Sequence, residues 1–330
     1  MDKKEALKIV KKDGCELENL PDKFKKDKEL VLEAVKQNSV VFEFVDNIFL
    51  IDKEVILEAV KGNWFMICEI NEVFIRNKEI DVLDVLKDKE VVLEAVKQEG
   101  CSLEYADESL KKDKEVVLEA VKQNGDALQY ADESLKKDKE VVLEAVKQYG
   151  ITLQYADESL KKDKEVVLEA VKEDREALEY ADASFKQDKE VFFEIANKYG
   201  DEIALYLDDA DDIFKKDKEV ILKVVRIDGD ALRFADESLL KDKEVVLEAV
   251  KQYGEALEYA DDSLKEDREV VLEAVKADGA ALIYADASFK HDKEVFLEAL
   301  KNNYDTEYDE MHDVFINNPD ILALINKNKK

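Results

Sequence analysis

The sequence predicts an all-α protein, an α-solenoid of about twelve 25-residue repeats, each pairing one longer helix with a shorter α or 3₁₀ helical return. Three observations predict it. The motif Asp-Lys-Glu followed by an apolar run begins at Asp27, Asp52, Asp88, Asp113, Asp138, Asp163, Asp188, Asp217, Asp242, Asp267 (as Asp-Arg-Glu) and Asp292, with a degenerate copy at Asp2. Nine of the eleven successive spacings are 25 residues; the other two are 36 and 29. Second, 9 Gly and 2 Pro in 330 residues are too few to turn a β-rich chain. Third, a hydrophobic share of 46% beside a charged share of 40% belongs to a folded chain and not to a disordered one.

The repeats run in order from a cap to a cap. Residues 1–26 form an N-terminal cap repeat, in which Leu20-Pro21 replaces the usual Ala-Asp. Regular repeats fill 27–301, interrupted by insertions near 69–86 and 201–214. Residues 302–330 lose the Gly and the Tyr-Ala-Asp pattern and read as a C-terminal cap, with a half-unit after Asn317. The whole is expected to be one elongated domain, since each repeat can bury its apolar surface only against its neighbours.

The unit Asp113–Lys137 shows the local logic. Asp113 is placed to cap a helix, and Glu115 adds negative charge where the helix dipole favours it. Val116, Val117, Leu118, Ala120 and Val121 make a broad apolar face. Gly125 is positioned to stop the helix in a left-handed conformation. Ala127, Leu128, Tyr130 and Ala131 fit one or two turns of α or 3₁₀ helix, and Asp132 caps a last turn that carries Leu135 inward. The extra 4 and 11 residues of the irregular spacings are close to one and three helical turns, so both are expected to lengthen the second element: Ile203–Phe214 in one unit and Glu69–Leu86 in the other. An alternative for the longer insertion makes Asn77–Lys87 a truncated repeat.

The unit Asp-Lys-Glu-Val-Val-Leu-Glu-Ala-Val-Lys-Gln-x-Gly-x-Ala-Leu-x-Tyr-Ala resembles a tandem helical repeat family, defined on paired units of about 50 residues and known only as a domain of unknown function. The likeness is clearest over residues 27–300. Alternation of a longer and a shorter helix is also similar to the leucine-rich-variant type of α-solenoid. The resemblance implies the fold and carries no catalytic or ligand residues.

Charge narrows the function classes. With 82 acidic and 51 basic residues the formal charge is −31, which opposes direct binding to nucleic acid or anionic membranes. The acidity belongs to the repeat: Asp113–Lys137 holds six acids and four lysines. It serves solubility, or recognition of a partner with a basic or mixed surface. No apolar run approaches the ~18–20 residues of a membrane span, and no secretory signal follows Met1, so a cytoplasmic protein is expected. Three well-separated cysteines, Cys15, Cys68 and Cys101, read as free thiols.

No constellation for catalysis, and no cofactor or metal set, stands out. The glycines fall singly, His291 replaces a Lys or Gln of other repeats, and His312 lies among Glu307, Asp309, Glu310 and Asp313 as a solvated acidic stretch. Carboxylates recur identically from unit to unit, whereas catalysis needs one unit to differ. A non-enzyme is therefore expected. Departures from the consensus supply the candidate partner-binding residues. One set is Trp64, Phe65 and Met66, which include the only Trp. The other is Lys223, Arg226 and Arg233, beside the acidic stretch 208–212: a salt-bridged irregular junction or a charged docking site. The expected function is a non-catalytic protein-interaction scaffold. The alternative is an acidic decoy that mimics nucleic acid and sequesters a basic nucleic-acid-binding protein.

Overall fold

A computed structural model describes residues 1–68, 83–200 and 203–302. All regular structure among them is helical. The chain divides into two compact units, Met1–Asp182 and Ala183–Lys330. In the first, long helices at Lys3–Lys12, Lys28–Gln37, Lys53–Gly62, Lys89–Gln98, Lys114–Gln123, Lys139–Gln148 and Lys164–Glu173 each open one repeat. In the second they are Lys189–Tyr199, Lys218–Val225, Lys243–Gln252, Arg268–Ala277 and Lys293–Lys301. Within each unit the substantial contacts join elements of the same repeat or of adjacent repeats, the arrangement of an all-α solenoid.

Each repeat builds itself from short-range capping. Asp113 Oδ1 accepts from the Glu115 amide at 3.0 Å and the Val116 amide at 3.3 Å, starting the helix Lys114–Gln123. Asn124 then accepts from the Asp126 amide at 3.0 Å and starts a 3₁₀ helix, Gly125–Tyr130. Asp132 accepts from the Ser134 amide at 3.0 Å and the Ser134 hydroxyl at 2.6 Å, fixing the last turn that buries Leu135. Three Asx caps in 25 residues leave few free amides at helix starts. A ten-residue helix is marginal alone, so the rest of its stability comes from packing. Val116, Val117, Ala120, Val121, Ala127 and Leu128 are fully buried between repeats. A backbone bond ties the last turns together as well: the Asp132 amide donates to the Lys111 carbonyl, Asp157 to Lys136 and Asp182 to Lys161, each at 3.0 Å.

The repeat glycine has a different role from the expected left-handed helix stop. Among the described residues only Gly200 has positive φ, at 42°. Elsewhere the glycine opens the 3₁₀ helix against the next repeat. A Cβ on Gly125 would lie 2.6 Å from the Ala145 carbonyl oxygen, and one on Gly150 would lie 2.2 Å from that of Ala170. Glycine is needed for close approach and not for its backbone freedom. Where Ser39 takes that place, the next repeat carries Gly62 instead of Gln, and a Cβ there would stand 3.5 Å from the Ser39 Cβ.

The four-residue insertion turns the second element into an α-helix, Ile203–Asp209, and the usual last turn follows as Asp212–Lys215. The expected stretch Ile203–Phe214 is thus two helices, divided where Asp211 caps the second by accepting from the Ile213 amide at 3.0 Å. Phe192 fills the space beneath, 4.6 Å from the Phe214 ring and 5.3 Å from the Tyr206 ring, centroid to centroid. Of the longer insertion, residues 69–82 lie outside the described residues, as does the choice between a lengthened helix and a truncated repeat. Leu83–Leu86 forms the last turn before Asp88. The C-terminal cap beyond residue 302, with His312 and its acidic neighbours, also lies outside.

The first repeat carries charge at places that are apolar in the unit from Asp113. Glu5 stands where Val116 does in the unit from Asp113, and Glu16 where Ala127 does. Both are exposed.

Among the described residues one buried side-chain polar atom is unsatisfied. The Ser102 hydroxyl is buried without a hydrogen-bond partner, at the place held by Ala127 and by Thr152, whose hydroxyl donates to the Tyr149 carbonyl at 2.8 Å. Ser102→Ala is expected to raise stability by about 1 kcal/mol, seen as a higher urea midpoint.

Candidate functional site

The most regular polar feature is a ladder of ion bridges between repeats, set on the N-terminal ends of the long helices. Within each unit the Lys of an Asp-Lys-Glu motif, or Arg268 in its Asp-Arg-Glu variant, reaches forward to the Asp and the Glu of the following motif. Lys89 Nζ lies 2.7 Å from Asp113 and 2.8 Å from Glu115; Lys114 lies 2.6 Å from Asp138 and 2.8 Å from Glu140. The rung holds across the longer insertion, where Lys53 meets Asp88 at 2.8 Å and Glu90 at 3.0 Å. It holds across the shorter one too, where Lys189 meets Asp217 at 2.6 Å and Glu219 at 3.1 Å. Each rung holds one cation between two carboxylates.

The ladder sets the titration of its members. Burial pushes the Asp113 carboxyl upward, but the Lys89 hydrogen bond and the Val116 and Glu115 amides outweigh it and hold it below the usual value of 3.8. Asp138, Asp163, Asp242 and Asp267 are lowered by the same balance. Lys89 is raised by its hydrogen bonds to Asp113 and Glu115. A second ladder of amides closes the other helix end: Gln123 Nε2 donates to the Gln98 carbonyl at 2.9 Å, while its Oε1 accepts from the Gly100 amide.

The 3₁₀ helices bring a row of half-buried aromatics to one face. Tyr105, Tyr130 and Tyr155 follow one another in the first unit, and Phe234, Tyr259 and Tyr284 in the second. The Cys68 side chain hydrogen-bonds Tyr105, whose hydroxyl is pushed up to about 12, with burial adding to the rise. Burial and the neighbouring Glu104 raise Tyr130; burial and Asp126 raise Tyr155. Cys101 is pushed up to about 11 by burial and then by Glu99, Asp126 and Glu104. Cys15 is exposed and Cys68 buried, and no disulfide joins the three cysteines.

The two sets of candidate residues separate. Met66 is packed inside at 4% exposure, whereas Phe65 is 45% exposed and meets the half-buried Trp64 edge to face at 5.6 Å. The basic residues go to separate partners. Lys223 lies over the Phe193 ring, 4.1 Å from its centroid. Arg226 Nε donates to Glu248 at 2.7 Å. Arg233 pairs with Asp230 at 3.0 Å, lies 4.5 Å above the Phe234 ring, and hydrogen-bonds Tyr259. In the acidic stretch, the Asp208 carbonyl accepts from Lys215 at 2.7 Å and Asp211 accepts from Gln187 at 2.9 Å. His291 is exposed at the end of the 3₁₀ helix Ala287–His291.

Open clefts on the surface of the described residues include two beside the repeat ends. One, about 600 Å³, is lined by Lys53, Asp88, Lys89, Glu90, Leu93, Glu94 and Lys97, where a rung crosses the longer insertion. The other, about 450 Å³, lies beside Tyr284 and Glu266. Among the described residues no group of three or more His, Cys, Asp or Glu side chains has the geometry of a metal site. No helix among them is long and apolar enough to cross a membrane.

The architecture is that of a tandem helical repeat protein. The family model described as Domain of unknown function (DUF4116) matches residues 2–50, 88–136, 138–186, 163–215, 188–240, 217–265 and 267–306, and the chain belongs to this family. Each match spans about two structural repeats. No curated protein and no solved structure matches the chain.

Proposed function

We propose that the protein is a non-catalytic scaffold that binds a protein partner of basic or mixed surface along its repeats. The observation that carries this reading is the ladder: it commits the Asp-Lys-Glu side chains to holding neighbouring repeats together, one cation to two carboxylates. The polar groups that would have to do chemistry are thus occupied in structure and repeated from unit to unit. What remains outward-facing is a negative field with rows of half-buried aromatics, which suits binding over a length of surface. Trp64 and Phe65 add one exposed apolar anchor. A cytoplasmic location accords with three cysteines that stand outside any disulfide.

Affinity capture from the native host at two salt concentrations tests this reading against the decoy. A partner retained at the higher salt and lost with Trp64→Ala and Phe65→Ala supports a scaffold with an apolar anchor. Capture of nucleic-acid-binding proteins that collapses steeply with rising salt, and ignores both substitutions, supports the decoy.

A further inference from the structure

The seat occupied by Arg233 has an unfilled counterpart in the first unit. Arg233 is the seventeenth residue of its repeat, and its guanidinium is held by three groups. These are the Asp230 carboxylate at 3.0 Å, the Phe234 ring at 4.5 Å and the side chain of Tyr259 in the next repeat. The repeat from Asp113 presents the same three groups at the same places: Asp126, Tyr130 and, one repeat on, Tyr155. There the seventeenth residue is Gln129, whose amide turns to the Asp126 backbone carbonyl at 3.0 Å and brings no charge. Among the described residues no cation pairs with the Asp126 carboxylate. Glu104, from the repeat before, adds an exposed carboxylate beside Tyr130.

We propose that the face formed by Glu104, Asp126, Tyr130 and Tyr155 binds arginine side chains of an extended partner segment. The proposal rests on the scaffold reading and names the partner chemistry. A planar guanidinium can accept a carboxylate at its edge and an aromatic ring at its face together, which a compact ammonium does less well. Arg233 shows that the fold accommodates that arrangement at this repeat position. The spacing also fits: stacked helices lie about 8–10 Å apart, and three residues of extended chain span about 10–11 Å. Arginines three residues apart can therefore reach Glu104 and Asp126, the carboxylates that two successive repeats bring to this face.

The test uses the full chain and a synthetic ten-residue peptide with arginine at every third position, followed by fluorescence anisotropy. A lysine version and a version with adjacent arginines serve as controls. The arginine peptide is expected to bind at least tenfold more tightly than either control. Asp126→Asn should weaken it about tenfold, and Gln129→Arg, which fills the seat as Arg233 does, should weaken it as much or more. An unchanged melting midpoint in both variants, expected from the precedent at Arg233, assigns the loss to the seat. Equal binding of the lysine peptide, or indifference to both substitutions, would reduce the effect to attraction by net charge and overturn the proposal. Absence of peptide binding also overturns it, whereas a protein captured through Trp64 and Phe65 would leave the scaffold reading intact.

Discussion

Gly150→Ala is expected to destabilise the protein by about 2–3 kcal/mol, the range for forcing extra volume into a close-packed site. The new methyl would stand 2.2 Å from the Ala170 carbonyl oxygen and 2.8 Å from the Asp174 nitrogen. Both are backbone atoms, so the repeats must part to admit it. Parting them disturbs the Leu153 and Val167 packing that the approach permits. Urea unfolding read by circular dichroism measures the loss. Gly62→Ala is the matched control, because its methyl would meet only Ser39, at 3.5 Å and 3.9 Å. There the smaller entropy of the unfolded alanine chain should give a neutral or stabilising change of up to about 1 kcal/mol. Equal losses at the two sites would remove the close-approach account of the repeat glycine.

Acid should act through the rungs. Asp113, Asp138, Asp163, Asp242 and Asp267 all titrate below their usual 3.8 in the folded chain. A carboxylate lowered by folding adds stability that is present above the unfolded value and disappears as pH falls through the folded one. Stability should therefore hold down to about pH 4 and then fall steeply, because equivalent caps in both units protonate over the same narrow range. The lysines give the opposite limb. Lys89 and Lys114 are raised above 10.5, so their contribution is complete below that value and is lost as pH rises through the raised ones. Melting midpoints followed from pH 2 to 12 should form a plateau with two edges. Asp138→Asn, which keeps a capping oxygen but loses the charge, should shrink the acid edge while costing less at neutral pH than Asp138→Ala. A midpoint that declines steadily from pH 7, with no plateau, would contradict the ladder as its source.

Much of the fold was legible in the sequence because it is local. Asp113, Asn124 and Asp132 each bond amides two or three residues away, and the 25-residue recurrence gave the stacking of Val116, Val117 and Leu128. The ladder was not legible, since Lys89 and Asp113 are 24 residues apart and meet only once adjacent repeats are in register. A signal was present nonetheless: a Lys recurring at the second place of the motif is more than a solvated face requires. The glycine was misread because a Gly after a helix usually supplies positive φ, and here its missing Cβ mattered instead. The basic residues Lys223, Arg226 and Arg233 were recognised as departures, yet their partners Phe193, Glu248 and Asp230 depend on inter-repeat geometry or side-chain direction that spacing alone leaves open.

Native-state amide hydrogen exchange on Gly150→Ala, read repeat by repeat, bears most directly on nearest-neighbour stacking. If each repeat is held by those beside it, protection should fall in the helices Lys139–Gln148 and Lys164–Glu173 and recover toward Lys28–Gln37. A uniform loss of protection from Lys28 onward would mean that distant repeats share one core, and the stacked architecture would be contradicted.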